Sequence, residues 1–193
     1  MRIVAGRHRG RSLKTPADLA VRPTADRTRE ALFNILTSGK LSAEGGQRLP
    51  GARVLDAFAG TGALGLEALS RGAAQVTFME NYAPAIEICR ANIKALGEEA
   101  RAELLACDVL HPVRPPAPCD LVFLDPPYNQ GLAEKALVAL DKAGWIAGEA
   151  LVSVELMKAE DFALPQGFIE LDNRTYGKAR LVFLKSDSPP PHD

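Results

Sequence analysis

From Arg53 onward the chain alternates short apolar runs with helical patterns, and few folds accommodate that alternation. The runs "RVLDAF", "AQVTFME", "AELLAC" and "CDLVFLD" read as buried strands, "GALGLEALSRG" and "APAIEICRANIKAL" as helices between them, and "GLAEKALVALDKAG" as a helix after the fourth. This βαβ rhythm predicts an α/β fold with a doubly wound, mostly parallel sheet. "EALVSVELM", "GFIELDNRTY" and "ARLVFLK" bring the strands to seven, the last two antiparallel about a turn at "YGK". Upstream, "RIVAG" and "GRSLK" flank "RHRG" as a small hairpin or extended arm that could not fold alone. "RPTADRTREALFNIL" reads as a helix, with Thr24 as N-cap and Leu32, Phe33, Ile35 and Leu36 as its apolar stripe; "TSGKLSAEGGQRLPG" is the loop that ends it. The tail "SDSPPPHD" is too polar and proline-rich to pack. The expected division is an arm over 1–20, a main domain over 21–185 and a disordered tail over 186–193.

Composition narrows the classes. At 193 residues, 47% hydrophobic and 24% charged, the chain suits one sizeable core. No apolar run approaches the roughly 18 residues that span a bilayer, and the basic start lacks the apolar stretch of a signal peptide, so the protein is read as cytoplasmic. Cys89, Cys107 and Cys119 show no CxxC spacing, and His8, His111 and His192 form no ligand cluster with them. Neither disulfides nor a metal site are expected. The net charge of −1 hides an asymmetry: residues 1–30 carry a balance of +5, which leaves about −6 on the rest. A basic arm on an acidic body suits a polyanion, since phosphate neutralisation with counterion release drives such binding; a solvated basic face without a partner is the alternative. Arg7, Arg9, Arg11, Arg22, Arg27 and Arg29 are the candidate contacts, although capping and i to i+4 pairing account equally for the last three. On this reading, loss of the arm leaves cofactor affinity nearly unchanged.

The chemistry is expected at the carboxyl ends of the strands, near the reversal of strand order. Asp56, Glu80, Asp108 and Asp125 all fall at such ends. Gly60, Gly62 and Gly65 form a literal GxGxxG, which brings backbone close to a nucleotide, and Glu80 stands at the offset of an acid that accepts from ribose hydroxyls. Such glycines also serve simply to pack a helix on a strand. A dinucleotide and S-adenosylmethionine share the pattern. Asp56 tilts the choice, because a carboxylate in the turn repels a diphosphate and suits a ligand with ammonium and sulfonium groups. Two readings of Phe58 stand side by side: a ring near that cation, or core filler at a strand end.

"DPPY", Asp125 to Tyr128, decides more. Two prolines cannot continue a strand, so the turn presents acceptors to a ligand. Asp125 and a proline carbonyl can accept both hydrogens of an exocyclic amine while Tyr128 stacks on its ring; the ring, not the hydroxyl, is the part this role needs. Cys107 beside Asp108 reads as a small apolar residue, Trp145 as packing, and nothing is drawn from Asn81 and Tyr82.

"DAFAGTGALGLEALSRGA", "DPPY", "RPTADRTREALFN" and the opening "RIVAGRHRGRSL" together resemble the bacterial 16S ribosomal RNA guanine-N2 methyltransferases that act at guanine-966, from Arg2 to about Lys185. The resemblance implies a class I, Rossmann-like methyltransferase fold. It implies that Asp56, Gly60 and Gly62 cradle the methionine part of S-adenosylmethionine, that Glu80 holds its ribose and Asp108 its adenine, and that Asp125, Pro126, Pro127 and Tyr128 receive the base. The implied partner is 16S ribosomal RNA or a small-subunit assembly particle, met by a monomer. "DPPY" alone is shared with adenine-N6 and glutamine-N5 methyltransferases; these, and a non-catalytic RNA-binding module, are the alternatives. The proton acceptor, Asp125 or water, stays open.

Overall fold

The computed structural model describes residues 1–16, 23–41 and 48–187, the side chains of 23–26 excepted. Arg22 and the tail over 188–193 lie outside the described residues. Helix α1 spans Pro23–Thr37. A proline fits the first helical position because its N–H is not needed there and its φ is already helical. The helix therefore starts before Thr24, which falls inside the first turn instead of capping it.

The remaining elements run β1 (Arg53–Ala57), α2 (Ala63–Ser70), β2 (Gln75–Glu80), α3 (Ala83–Leu96), β3 (Ala102–Ala106), β4 (Cys119–Leu124), α4 (Leu132–Ala143), β5 (Ile146–Met157), β6 (Phe168–Tyr176) and β7 (Ala179–Ser186). They form one seven-stranded sheet in the order β3-β2-β1-β4-β5-β7-β6. The pairs from β3 to β5 are parallel, and β7 runs antiparallel to both β5 and β6. Strand order reverses between β1 and β4, which sets the crevice at their carboxyl ends. Strand β5 begins three residues ahead of the expected "EALVSVELM", and β7 runs one residue past the expected domain end, through Ser186.

Alternation along the strands builds two cores. Val54, Phe78 and Phe123 face Phe33 of α1, Leu66 and Leu69 of α2, and Cys89 and Ile93 of α3. Leu55, Ala57, Val122 and Leu124 face Leu137 and Leu140 of α4 and Trp145. Each large side chain so buried contributes roughly 1.5–3 kcal/mol. Phe33 meets Phe123 edge-on, with centroids 5.6 Å apart, and the Arg71 guanidinium lies over the Phe33 ring, 4.9 Å from its centroid. Trp145 is packing, as expected, and its Nε1 donates to the Val113 carbonyl at 2.7 Å.

The N-terminal segment is a hairpin, with Arg2 bridged antiparallel to Ser12 and Leu13 N donating to the Met1 carbonyl at 3.0 Å. Ile3 and Leu13 sink into the first core, which supplies what the segment could not bury alone. Its tip is sewn to the distal end of α2. Glu67 accepts from Val4 N (2.8 Å) and Ala5 N (3.0 Å), and Arg7 N donates to the Ser70 carbonyl at 2.9 Å. Gly6 is obligatory at that crossing: a Cβ there would stand 1.9 Å from the Ser70 carbonyl oxygen. Nearby, Glu98, 1% exposed, receives Arg7, His8 (2.6 Å) and Arg101 (2.8 Å). Burial alone would raise this carboxyl, but the three donors outweigh it and hold Glu98 below its ordinary value.

Candidate active site

At the carboxyl ends of the central strands lies a cleft of about 820 Å³, bounded by Phe58, Gly60, Glu80, Asp108 and the whole of Asp125 to Tyr128. It adjoins a second cavity of about 490 Å³, bounded by Asp56, Gly60, Thr61, Glu80 and Asp125. The fold thus brings together the four acids expected at strand ends. Asn81 and Tyr82, from which the sequence drew nothing, also line the cleft, and Tyr82 is 65% exposed there.

Each acid is held by its local structure. Asp56 on β1, 1% exposed, accepts from Gly65 N at 2.8 Å, which ties the start of α2 to the strand. Burial pushes its carboxyl up to about 7, against the Gly65 hydrogen bond and with help from the charge of Glu80. Glu80 ends β2 with both oxygens engaged: one accepts from Gly60 N (2.8 Å), the other from Asn81 N (2.9 Å) and Tyr82 N (2.8 Å). The glycine turn is thereby fixed to β2. Gly65 has the packing role, since a Cβ there would be 2.3 Å from the Phe78 ring, whereas Gly60 and Thr61 border the cavity. Gly62 caps α2 above Cys89. Phe58 takes a left-handed φ of 63°, costly for a bulky residue, and lines both cavities while packing on the second core, so the two readings of it describe one position. Asp108 is held below its ordinary value by hydrogen bonds from Leu110 N and His111.

Asp125 follows β4 and is exposed along the cleft. Its carboxyl is raised well above the usual range, first by desolvation and then through the charges of Glu155 and Asp56. Glu155, on β5, was missed. Its signal in the sequence is an acid inside the apolar run "VSVELM", between Val154 and Leu156, both fully buried. It accepts a hydrogen bond from the Tyr128 hydroxyl at 2.6 Å. The Tyr128 hydroxyl, which stacking does not require, is thus committed to a carboxyl. Asn92 of α3, 1% exposed, was missed as well: it bonds both backbone groups of Lys14 and donates to the Thr61 carbonyl at 2.9 Å.

The arginines scatter. Arg7, Arg9 and Arg11 share the hairpin, but Arg7 pairs with Glu98 and Arg11 donates to the Ala95 carbonyl at 2.7 Å, both at the far ends of α2 and α3. The hairpin tip thus stands about one α2 length, roughly 12 Å, from the cleft. Its other end, at Met1 and Pro16, lines the cavity beside Asp56. The base of the arm therefore walls the cavity next to the acid expected to hold the cofactor. Arg27 is exposed; Arg29 is 6% exposed and donates to the Arg2 carbonyl at 2.9 Å, so it faces protein and fastens the hairpin to α1. Burial pushes the thiols of Cys89 and Cys119 up to about 12 and raises that of Cys107. Among the described residues no cluster of three His, Cys, Asp or Glu could hold a metal, and no helix is long and apolar enough to cross a membrane.

Residues 1–185 match the family described as "Conserved hypothetical protein 95". The chain is 38% identical to ribosomal RNA small subunit methyltransferase D of Escherichia coli K12 over 156 residues, 80% of this chain and 74% of that one. Against the protein of the same name from Haemophilus influenzae it is 36% identical over 92% and 89% of the two chains. The chain belongs to this family. Among solved structures, the Escherichia coli protein yhhF superposes with a TM-score of 0.82 at 32% identity, covering 98% of this chain and 99% of that one. An RNA methyltransferase from Salinibacter ruber, solved with S-adenosyl-L-homocysteine, shares the fold with a TM-score of 0.64 at 12% identity, over 91% and 98% of the chains. The family's fold is the class I methyltransferase sheet.

The donor set suits the group this fold carries. Asp56 is a buried acid without a cationic partner among the hydrogen bonds and ion pairs of the described residues, so it gains from a ligand bearing sulfonium and ammonium charges. Glu80 keeps acceptor capacity toward hydroxyls, and Asp108, held below its ordinary value, lines the same cleft.

Proposed function

We propose that this chain transfers a methyl group to the exocyclic N2 of a guanine in 16S ribosomal RNA, at position 966, acting as a monomer on the RNA or on a small-subunit assembly particle. The chain is an S-adenosylmethionine-dependent methyltransferase of ribosomal RNA. The cofactor supplies an electrophilic methyl on a sulfonium. Asp56, Phe58, Gly60 and Gly62 would hold its methionine part, Glu80 its ribose and Asp108 its adenine.

The observation that supports the reading is that Asp125, Pro126, Pro127 and Tyr128 all line a cleft that the acids of β1 and β2 also border. Guanine N2 is a poor nucleophile because its lone pair is delocalised into the ring. Asp125 and the Pro126 carbonyl, accepting its two N–H bonds, favour a pyramidal nitrogen and stabilise the positive charge that grows on it. Orientation by the stiff Pro126–Pro127 turn supplies much of the rest. The base must leave its stack to reach the turn, and Tyr128 replaces a stacking partner, worth roughly 1–3 kcal/mol.

The test is incubation with labelled S-adenosylmethionine and 16S RNA, or small-subunit particles, from a methylation-deficient source, followed by digestion to nucleosides. Label in N2-methylguanosine is expected. Label in N6-methyladenosine, or in protein glutamine, overturns the substrate assignment and leaves the fold untouched.

A further inference from the structure

The turn after β4 has a mechanical problem. Pro126 and Pro127 cannot donate N–H bonds, so the segment that must hold an acceptor amine at a fixed distance lacks the ladder bonds that steady an ordinary strand end. The residue after Tyr128, Asn129, takes a left-handed φ of 59°, and the chain then enters α4 through Gly131 at φ 59°. Something outside the turn has to brace it.

Glu155 is placed to do so. Val154 pairs in register with Leu124, so Glu155 and Asp125 are the next positions along adjoining parallel strands. Their neighbours two residues back, Ser153 and Phe123, are also register partners, which puts both carboxyls on the face of the first core. The Tyr128 hydroxyl reaches across to Glu155 at 2.6 Å. A carboxyl in a strand between two buried aliphatic residues is costly to desolvate and gives nothing to packing that a leucine would not give better.

We propose that Glu155 is a positioning residue of the methyl transfer: by accepting the Tyr128 hydroxyl it fixes the tyrosine ring and the Asp125–Tyr128 turn in the geometry that orients the acceptor amine. The inference rests on the reading that this turn receives the amine. It deepens that reading by assigning a function to a residue on another strand and to a hydroxyl that stacking alone does not require.

The experiment compares E155A, E155Q, Y128F and the double variant E155A/Y128F, with D125A as reference. Turnover is measured on 16S RNA from a methylation-deficient source, and S-adenosylhomocysteine affinity by calorimetry. E155A and Y128F each lower kcat by about tenfold or more, as displacement of a positioned group does. Affinity for S-adenosylhomocysteine stays within about twofold. The double variant is no slower than the slower single one, because both break the same link. E155Q, whose amide oxygen still accepts the hydroxyl, recovers most of the rate. Additive losses in the double variant overturn the inference, as does E155Q behaving like E155A. If E155A does not fold, Y128F against E155Q decides: Y128F at wild-type rate overturns the inference, and a slow Y128F beside a fast E155Q supports it. D125A separates the two levels. An active D125A sinks the underlying reading; an inactive D125A with additive Glu155 and Tyr128 effects sinks this inference alone.

Discussion

The two ends of the sheet treat buried acids in opposite ways. At the amino end, Glu98 is surrounded by Arg7, His8 and Arg101 and lies below its ordinary pKa. At the carboxyl end, Asp56, Asp125 and Glu155 all lie above their ordinary pKa, each first by desolvation and Asp125 also through the charges of the other two, and they lack a cationic neighbour among the ion pairs of the described residues. The same residue type therefore braces the fold at one end and keeps charge in reserve for a ligand at the other. Partners, more than burial, distinguish a structural acid from a functional one.

The sharpest break between the ends comes from removing one acid from each. Asp125→Ala should lower kcat by at least about a hundredfold, in keeping with loss of a positioned polar group, with cofactor affinity and melting temperature near wild type. Glu98→Ala should do the reverse. Breaking a buried pair costs about 3–5 kcal/mol, and the lower figure applies because Arg7 is 51% exposed and rehydrates. A fall in Tm of about 6–12 °C follows for a chain of this size, read by thermal unfolding with kcat measured well below the transition. If Asp125→Ala loses more stability than Glu98→Ala, the contrast fails.

Titration sharpens the same contrast. The Asp56 carboxyl is raised in the folded protein, so its ionisation disfavours the fold from pH 3.8 upward and reaches its full penalty above about 7. A sulfonium ligand prefers the ionised form, so S-adenosylmethionine affinity should climb as pH rises toward 7, by at most about tenfold per unit for one linked proton. S-adenosylhomocysteine, without that charge, should show a shallower slope in the same calorimetric series; parallel slopes would show that Asp56 does not face the sulfonium. Glu98 has the opposite sign: its folded pKa is lowered, so its stabilisation is full above the ordinary carboxylate range and is lost as pH falls.

The smallest expected effect lies between the two ends. Asn92→Ala removes bonds to Lys14 and to the Thr61 carbonyl beside the cavity, and should weaken S-adenosylhomocysteine binding by several-fold, about 1 kcal/mol. Affinity equal to wild type would restore the picture of a hairpin independent of the cofactor site.

The sheet was legible because each strand carries its own evidence: "RVLDAF" and "CDLVFLD" are apolar runs ended by acids, and the glycine turn follows the first of them directly. "DPPY" was legible for the same reason, as four consecutive residues with one chemical sense. What the sequence hides is separation. Glu155 acquires meaning only 27 residues from Tyr128, and Glu98 only 91 residues from Arg7. Arg7, Arg11 and Arg29 look alike as charges, yet their partners, fixed by the fold, turn them toward protein. The misplaced cap at Thr24 has a local cause, since Pro23 supplies the first helical residue that the cap reading assigned further on.

The hairpin's anchors lie 62 and 63 residues along the chain at Glu67 and 91 at Glu98. The β1–β4 pairing spans a comparable distance, 67 residues from Val54 to Leu121. The hairpin is thus tied into the fold by long-range bonds of the same reach as the sheet's own, although it contributes no strand to that sheet.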